Sequence, residues 1–183
     1  MKTNIVLVGY RGTGKSSVGK RLADVLGMVF VDMDQVLVIE AGCDITRIVR
    51  ERGWAYFRGL EKDLLARLSR QTGQVVATGG GVVLDEKNRT LIQGMGRVIW
   101  LKAEVDEIVL RLTRDTEGAV QRPAFSDHDL RDETIAILKD RSPFYARVSD
   151  SCLNTSSMTV GECVDEILCI LHKERASPGV KRC

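Results

Sequence analysis

Short apolar runs rich in β-branched residues alternate along this chain with longer segments of helical period. Residues 5–8 are wholly apolar, the pattern of a strand buried on both faces. Residues 15–26 place Val18, Leu22, Val25 and Leu26 on one helical face, and Gly27 ends that helix. A second strand is predicted over 28–31. Residues 34–70 are helical in pieces, broken at Gly42 and Gly53. A third strand, 74–78, runs into Gly79-Gly80-Gly81, and a fourth covers 98–101. A helix over 104–114 leads into a polar stretch, 115–125, read as a mobile loop around Gly118 and Pro123. A long helix begins near Ser126 and ends in Arg141-Ser142-Pro143-Phe144-Tyr145, because proline disfavours the α region for the residue before it. Residues 152–155 predict a fifth strand. Val160, Val164, Ile167 and Leu171 mark the inner face of a closing helix, and the chain is expected to fray from Ala176.

Alternation of this kind implies an α/β fold, a parallel sheet with helices on both faces. Ligands in such sheets bind outside the carboxyl ends of the strands. The first three strands run into Gly9, Asp32 and Gly79, so those residues are expected to line one crevice.

Composition narrows the possibilities. With 183 residues, the chain reads as one domain. Hydrophobic residues make up 44% and charged residues 28%, which excludes a disordered chain. The net charge of +2 leaves no basic field for nucleic acid. No apolar run is long enough for a membrane span, and the apolar run after Met1 is too short for a signal peptide. A cytoplasmic, monomeric protein is expected. The 5 cysteines form no Cys-x-x-Cys pair and read as small buried residues rather than a metal or redox site.

Candidate chemistry begins at residues 9–16, Gly-Tyr-Arg-Gly-Thr-Gly-Lys-Ser, which match the Walker A pattern G-x-x-x-x-G-K-[ST]. Glycines let backbone N–H groups curl around phosphate oxygens, and the following helix points its positive end at the same anion. Lys15 reaches the outer phosphates, and the Ser16 hydroxyl can bind Mg²⁺. A strand before the motif and an amphipathic helix after it meet the requirements of that mechanism.

Other features are ambiguous alone. Asp32 and Asp34 share one face of an extended segment, as a Mg²⁺ support and an acceptor-facing carboxylate, or else begin a helix as a cap. Arg58 and Glu61 form either a solvated i, i+3 pair or an anion fork beside Phe57; Trp54, Phe57, Glu61, Leu64 and Leu68 follow one stripe. Gly79-Gly80-Gly81 is a flexible turn or a close approach to ligand. Arg122 is a surface residue or a lid cation. Arg141 is a second anion fork or a charge at a helix end.

Together, Gly9 to Ser16, Asp32-x-Asp34, Phe57-Arg58-x-x-Glu61, Gly79-Gly80-Gly81, Arg122-Pro123 and Arg141-x-Pro143-x-Tyr145 occur in the order and spacing of shikimate kinases. The chain resembles that family from about residue 4 to 172. The resemblance implies a three-layer P-loop, nucleoside-monophosphate-kinase-like fold. It has a five-stranded parallel sheet, a helical substrate-binding region over 34–70 and a mobile lid. It also implies ATP-dependent phosphorylation of the 3-hydroxyl of shikimate, on the way to chorismate and aromatic amino acids. Residue by residue, Gly12, Thr13, Gly14, Lys15, Ser16 and Ser17 would cradle the ATP phosphates. Ser16 would ligate one Mg²⁺ with support from Asp32. Asp34 would accept from the attacking hydroxyl. Arg58, Arg141 and the Gly80 N–H, flanked by Phe57, Glu61, Gly79 and Gly81, would hold shikimate, and Arg122 would close onto the phosphates. Members often carry Arg and Pro near the adenine after the last strand. Residues 154–159 here have neither, which leaves Arg114 as the candidate to stack on adenine. The alternatives are a gluconate-type or nucleoside-monophosphate kinase, and a non-catalytic ATP-binding module.

Overall fold

In the computed structural model, the described residues are 4–114 and 130–176. The expected lid, 115–125, and the tail beyond Ala176 lie outside them. Five strands form one parallel sheet: β1 (Asn4–Val8), β2 (Val29–Asp32), β3 (Gln74–Ala77), β4 (Gly96–Lys102) and β5 (Ser151–Asn154), in the order β2-β3-β1-β4-β5. Ile5 stands in register with Val75 on one side and Arg97 on the other. Seven helices lie among the described residues: α1 (Lys15–Leu26), α2 (Met33–Ala41), α3 (Ile45–Leu68), α4 (Glu86–Met95), α5 (Val105–Arg114), α6 (Leu130–Val148) and α7 (Val160–Ala176). A short 3-10 turn, Val82–Leu84, follows the triple glycine.

The two-residue period of a strand divides the core. Ile5, Leu7, Val75, Ile99 and Leu101 pack with α1 and α7. Val6, Val8, Val76 and Val98 face the other way, onto residues of α2, α3, α4 and α6. The central strands are therefore apolar on both faces through their middles, as a sheet covered on both sides requires, with polar residues only toward their ends. α1 lies close to the sheet at Gly19, where a β-carbon would come within 2.7 Å of the Phe30 ring.

Several boundaries differ from the sequence reading. β4 starts at Gly96 rather than 98, since the ladder to β1 is made by backbone groups that ignore side-chain polarity. β2 is shifted to include Asp32. Val25 is 48% exposed because the inner face of α1 includes Gly19 and Ala23, which turns its centre away from Val25. Val160, 40% exposed, belongs to the capped first turn of α7, where Glu162 accepts from the Thr159 N–H and Thr159 Oγ1 accepts from the Glu162 N–H. Helix α6 does not stop before Pro143 but runs through it to Val148. Buried Tyr145 and Val148 hold those last turns against the core, and the proline ring is exposed. Gly53, with φ 80° and ψ 166°, kinks α3 at the expected break.

Among the described residues no helix is long and apolar enough to cross a membrane, and no group of three potential metal-ligating side chains occurs. The four described cysteines are free, but only Cys163 is buried; Cys43 and Cys152 are half-buried and Cys169 is exposed on α7, so the expectation of small buried residues holds for Cys163 alone. Burial pushes the Cys163 thiol above its ordinary range, against the opposing charge of Arg111, as suits an inert packing residue.

Candidate functional site

The carboxyl ends of β1, β2 and β3 converge as expected. β1 passes into the loop 9–14, and α1 begins at Lys15. Its N-cap is Gly14, which has no side-chain oxygen to occupy the first-turn amides. The Lys15 ammonium is buried and donates to the Tyr10 carbonyl at 2.6 Å, and Thr13 Oγ1 donates to the same oxygen at 2.7 Å. Ser16 and Ser17 follow on an exposed turn of α1.

Asp32 takes the cap role and also reaches the phosphate loop. Oδ1 caps α2 by accepting from the Asp34 and Gln35 N–H groups at 3.0 and 3.3 Å. Oδ2 accepts from the Ser16 hydroxyl at 2.5 Å. The two carboxylates do not share an extended segment: β2 stops at Asp32, and Asp34 stands in the first turn of α2. The turn still aims Asp34 at the crevice, because its Oδ1 lies 3.1 Å from where a β-carbon on Gly79 would sit.

Across the crevice, Arg58 pairs with Glu61, and the pair is only partly solvated, with 29% of the Arg58 side chain exposed. The Glu61 side chain is only 1% exposed. The Arg58 guanidinium also lies 5.3 Å from the Trp54 ring centroid and 5.5 Å from that of Phe57, within reach of both π faces. Glu61 and two aromatic rings thus hold the fork in one place. A β-carbon on Gly79 would collide with Glu61 Oε1, and one on Gly81 would collide with the Arg58 guanidinium. The close approach implied by the glycines is first to these side chains.

Gly80 serves differently. A β-carbon there meets only ordinary contacts, beginning 3.5 Å from the Arg11 nitrogen and the Gly9 carbonyl. Its own carbonyl accepts from Arg141 Nη1 at 3.1 Å and from the Tyr145 hydroxyl. The Gly79 carbonyl accepts from the Val82 N–H at 3.2 Å, which fixes the peptide that carries the Gly80 N–H. Arg141 is buried inside α6, not a charge at its end.

Arg114 is exposed at the last position of α5, and Arg122 lies outside the described residues. Two residues inside the named motifs take roles that the sequence does not assign to them. Tyr145 stands one helical turn beyond Arg141 and shares its acceptor, a relation the i, i+4 spacing could have suggested. Arg11, inside the Walker loop, pairs with Glu133 of α6 at 3.3 Å, with both side chains mostly buried. A separation of 122 residues leaves no trace of that pair in local pattern.

The resulting crevice joins two kinds of chemistry. One side offers amides, an ammonium and a hydroxyl–carboxylate pair suited to polyphosphate. The other gathers two guanidinium groups and a carboxylate around the triple glycine, a donor set suited to a hydroxylated acid. Comparison with known proteins agrees. A sequence profile described as shikimate kinase matches residues 11–172. The shikimate kinase of Syntrophus aciditrophicus is 40% identical over 180 residues, covering 94% of this chain and 92% of that protein. The shikimate kinase of Alkaliphilus oremlandii is 39% identical over 170 residues, covering 92% and 99%. Among solved structures, the Acinetobacter baumannii shikimate kinase in complex with shikimate superposes with a TM-score of 0.89 at 30% identity, covering 96% of both chains. A Sinorhizobium meliloti gluconokinase matches with a TM-score of 0.57 at 20% identity over 93% of this chain and 92% of its own, a likeness of fold alone. Sequence and structure agree over nearly the whole length, and the chain belongs to the shikimate kinase family.

Proposed function

We propose that this protein transfers the γ-phosphoryl group of ATP to the 3-hydroxyl of shikimate, giving shikimate 3-phosphate and ADP in the pathway to chorismate and aromatic amino acids. The observation that carries the reading is the pair of buried or clamped guanidinium groups, Arg58 and Arg141, meeting the triple glycine beside the phosphate loop. Family membership supports it.

Phosphoryl transfer needs positioning and charge stabilisation more than covalent chemistry. The amides of Gly12 to Ser17 and the N-terminus of α1 would bind the phosphates, with Lys15 leaving the Tyr10 carbonyl for the outer phosphate oxygens. Arg58 and Arg141 would hold the shikimate carboxylate, and the Gly80 N–H a ring oxygen. Asp34 would orient the attacking hydroxyl and take its proton as the new oxygen–phosphorus bond forms and the bond to ADP breaks. Arg122 would add positive charge around the migrating group. The Ser16 hydroxyl and Asp32 Oδ2, 2.5 Å apart, form an all-oxygen set that suits Mg²⁺, which takes few protein ligands and keeps phosphate and water oxygens. Once bound there, Mg²⁺ would neutralise phosphate charge. Glu61 would position Arg58 rather than touch the reacting atoms.

The test is ADP formation from Mg-ATP with shikimate, gluconate, nucleoside monophosphates or no acceptor. Strong stimulation by shikimate alone is the expected result. Stimulation by another acceptor would move the function to a related kinase, and ATP binding without any turnover would make the chain a regulatory module.

A further inference from the structure

The phosphate loop is held from behind by a cluster that the catalytic roles above do not use. Arg111, in the last turn of α5, spans three segments that are distant in sequence. Its Nη1 donates to the Gly12 carbonyl at 3.2 Å and to Thr155 Oγ1 at 3.0 Å. Its Nη2 donates to the Thr155 carbonyl at 2.7 Å. Its Nε is anchored one turn back by Glu107 at 2.7 Å. Thr155 follows β5 and is 2% exposed. Its hydroxyl lies 3.2 Å from the Thr13 carbonyl and 3.4 Å from that of Lys102, and its N–H donates to the Lys102 carbonyl at 2.8 Å.

Peptide planarity gives this cluster a consequence at the front of the loop. A planar trans peptide points its carbonyl and its N–H in opposite directions. The Gly12 carbonyl belongs to the peptide whose N–H is that of Thr13, and the Thr13 carbonyl to the peptide whose N–H is that of Gly14. Holding both carbonyls from outside turns both N–H groups away from Arg111 and Thr155. Walker A loops cradle phosphate with such N–H groups. In a glycine-rich loop the orientations would otherwise be fixed only when phosphate binds, at the cost of ordering the loop.

We propose that Arg111 and Thr155 are positioning residues that pre-organise the phosphate cradle by fixing the Gly12 and Thr13 carbonyls. The proposal rests on the reading of this loop as the ATP phosphate site. It gives Thr155, within the stretch 154–159 that departs from the family pattern, a role toward the phosphates.

Steady-state kinetics on T155V, T155S, R111M and the T155V/R111M pair tests it, with inorganic tripolyphosphate as a competitor that has polyphosphate but no base. The expected result is an increase of about tenfold in the KM for ATP in T155V, the scale of one lost hydrogen bond. The tripolyphosphate inhibition constant should weaken by a similar factor, while the KM for shikimate stays near its original value. T155S, which keeps the hydroxyl, should restore most of the ATP affinity. R111M should act in the same direction, and the pair should cost less than the product of the single effects, because both hold one cluster. A normal tripolyphosphate constant with a raised KM for ATP would overturn the proposal, since the cluster would then act on the base. So would an unimpaired T155V beside a damaged R111M. Parallel losses in kcat, both KM values and melting temperature would reduce the cluster to a structural support. Failure of the underlying reading would look different: the unsubstituted protein would show no competition between tripolyphosphate and ATP.

Discussion

The two halves of the crevice are built in opposite ways. The proposed phosphate half is nearly continuous in sequence, from Gly9 to Ser17, and among the described residues only Asp32 joins it from elsewhere at the front. The proposed acceptor half draws on Asp34, Arg58, Glu61, Gly79 to Gly81, Arg141 and Tyr145, from α2, α3, the loop after β3 and α6. Polyphosphate is recognised largely by backbone amides, so a short local motif suffices. A small carboxylate with hydroxyls needs several side chains pointing inward from different directions, which only separate elements can supply.

That contrast can be broken first at the chemistry shared by both halves. Asp34→Asn is expected to lower kcat by at least about 10²-fold, the scale of general-base catalysis, with ATP affinity retained. Single-turnover kinetics and nucleotide titration check it, and near-normal turnover would remove Asp34 from the reaction. Next comes the acceptor side alone. Arg58→Ala should raise the KM for shikimate by roughly 30- to 100-fold, the loss of a charge-assisted bond, and leave the KM for ATP within a factor of about two. Gly81→Ala should do the same more weakly without touching a charge, since its methyl group displaces the guanidinium from its place against Glu61. A normal shikimate KM in Gly81→Ala would mean that the clamp is not needed.

The smallest effect should leave both halves unchanged. Asp85 caps α4 by accepting from the Lys87 and Asn88 N–H groups at 2.7 and 3.1 Å. The Asn88 N–H above all holds its carboxyl below the ordinary carboxylate range against the opposing effect of burial, with help from the Lys87 N–H and the Lys62 and Lys87 charges. Its folded pKa is therefore below the unfolded one. The electrostatic part of the cap is present above the unfolded value, about 3.9, and is lost as pH falls through the folded value. Asp85→Ala should cost about 1 kcal/mol at neutral pH, or roughly 2–4 °C in Tm, with both KM values preserved. Asp85→Asn should keep most of the cap and remove the acid-range loss. Thermal melts between pH 2 and 7 measure both.

Much of this was legible from pattern. Strand β1, the phosphate loop, the breaks at Gly42 and Gly53 and the stripe from Trp54 to Leu68 depend on local periodicity and backbone freedom, so a single sequence displays them. Errors arose where tertiary packing overrode a local rule. Pro143 did not end α6 because buried Tyr145 and Val148 hold the turns beyond it. Of the two readings open for Asp32 and Asp34, the local cap holds, with α2 starting at Met33, while the reach of Asp32 Oδ2 to Ser16 comes only from the tertiary structure. The spacing of large apolar residues points Val25 inward, but the buried Gly19 and Ala23 turn the inner face of α1 away from it.

The amino-acid sequence alone determined the alternation of strands and helices, the phosphate loop and the set of charged residue types available for an anionic acceptor. These are properties of neighbouring residues, set by hydrophobic period, glycine φ freedom and side-chain chemistry. The tertiary structure alone decided that the Gly80 carbonyl holds Arg141 and Tyr145, that Glu133 meets Arg11, and that Arg111 and Thr155 grip the loop from outside. Those contacts join residues 61 to 142 positions apart, and no local rule relates them. They follow from the crossover order of the sheet, which brings the ends of β1, β3 and β5 and their neighbouring helices around a common edge.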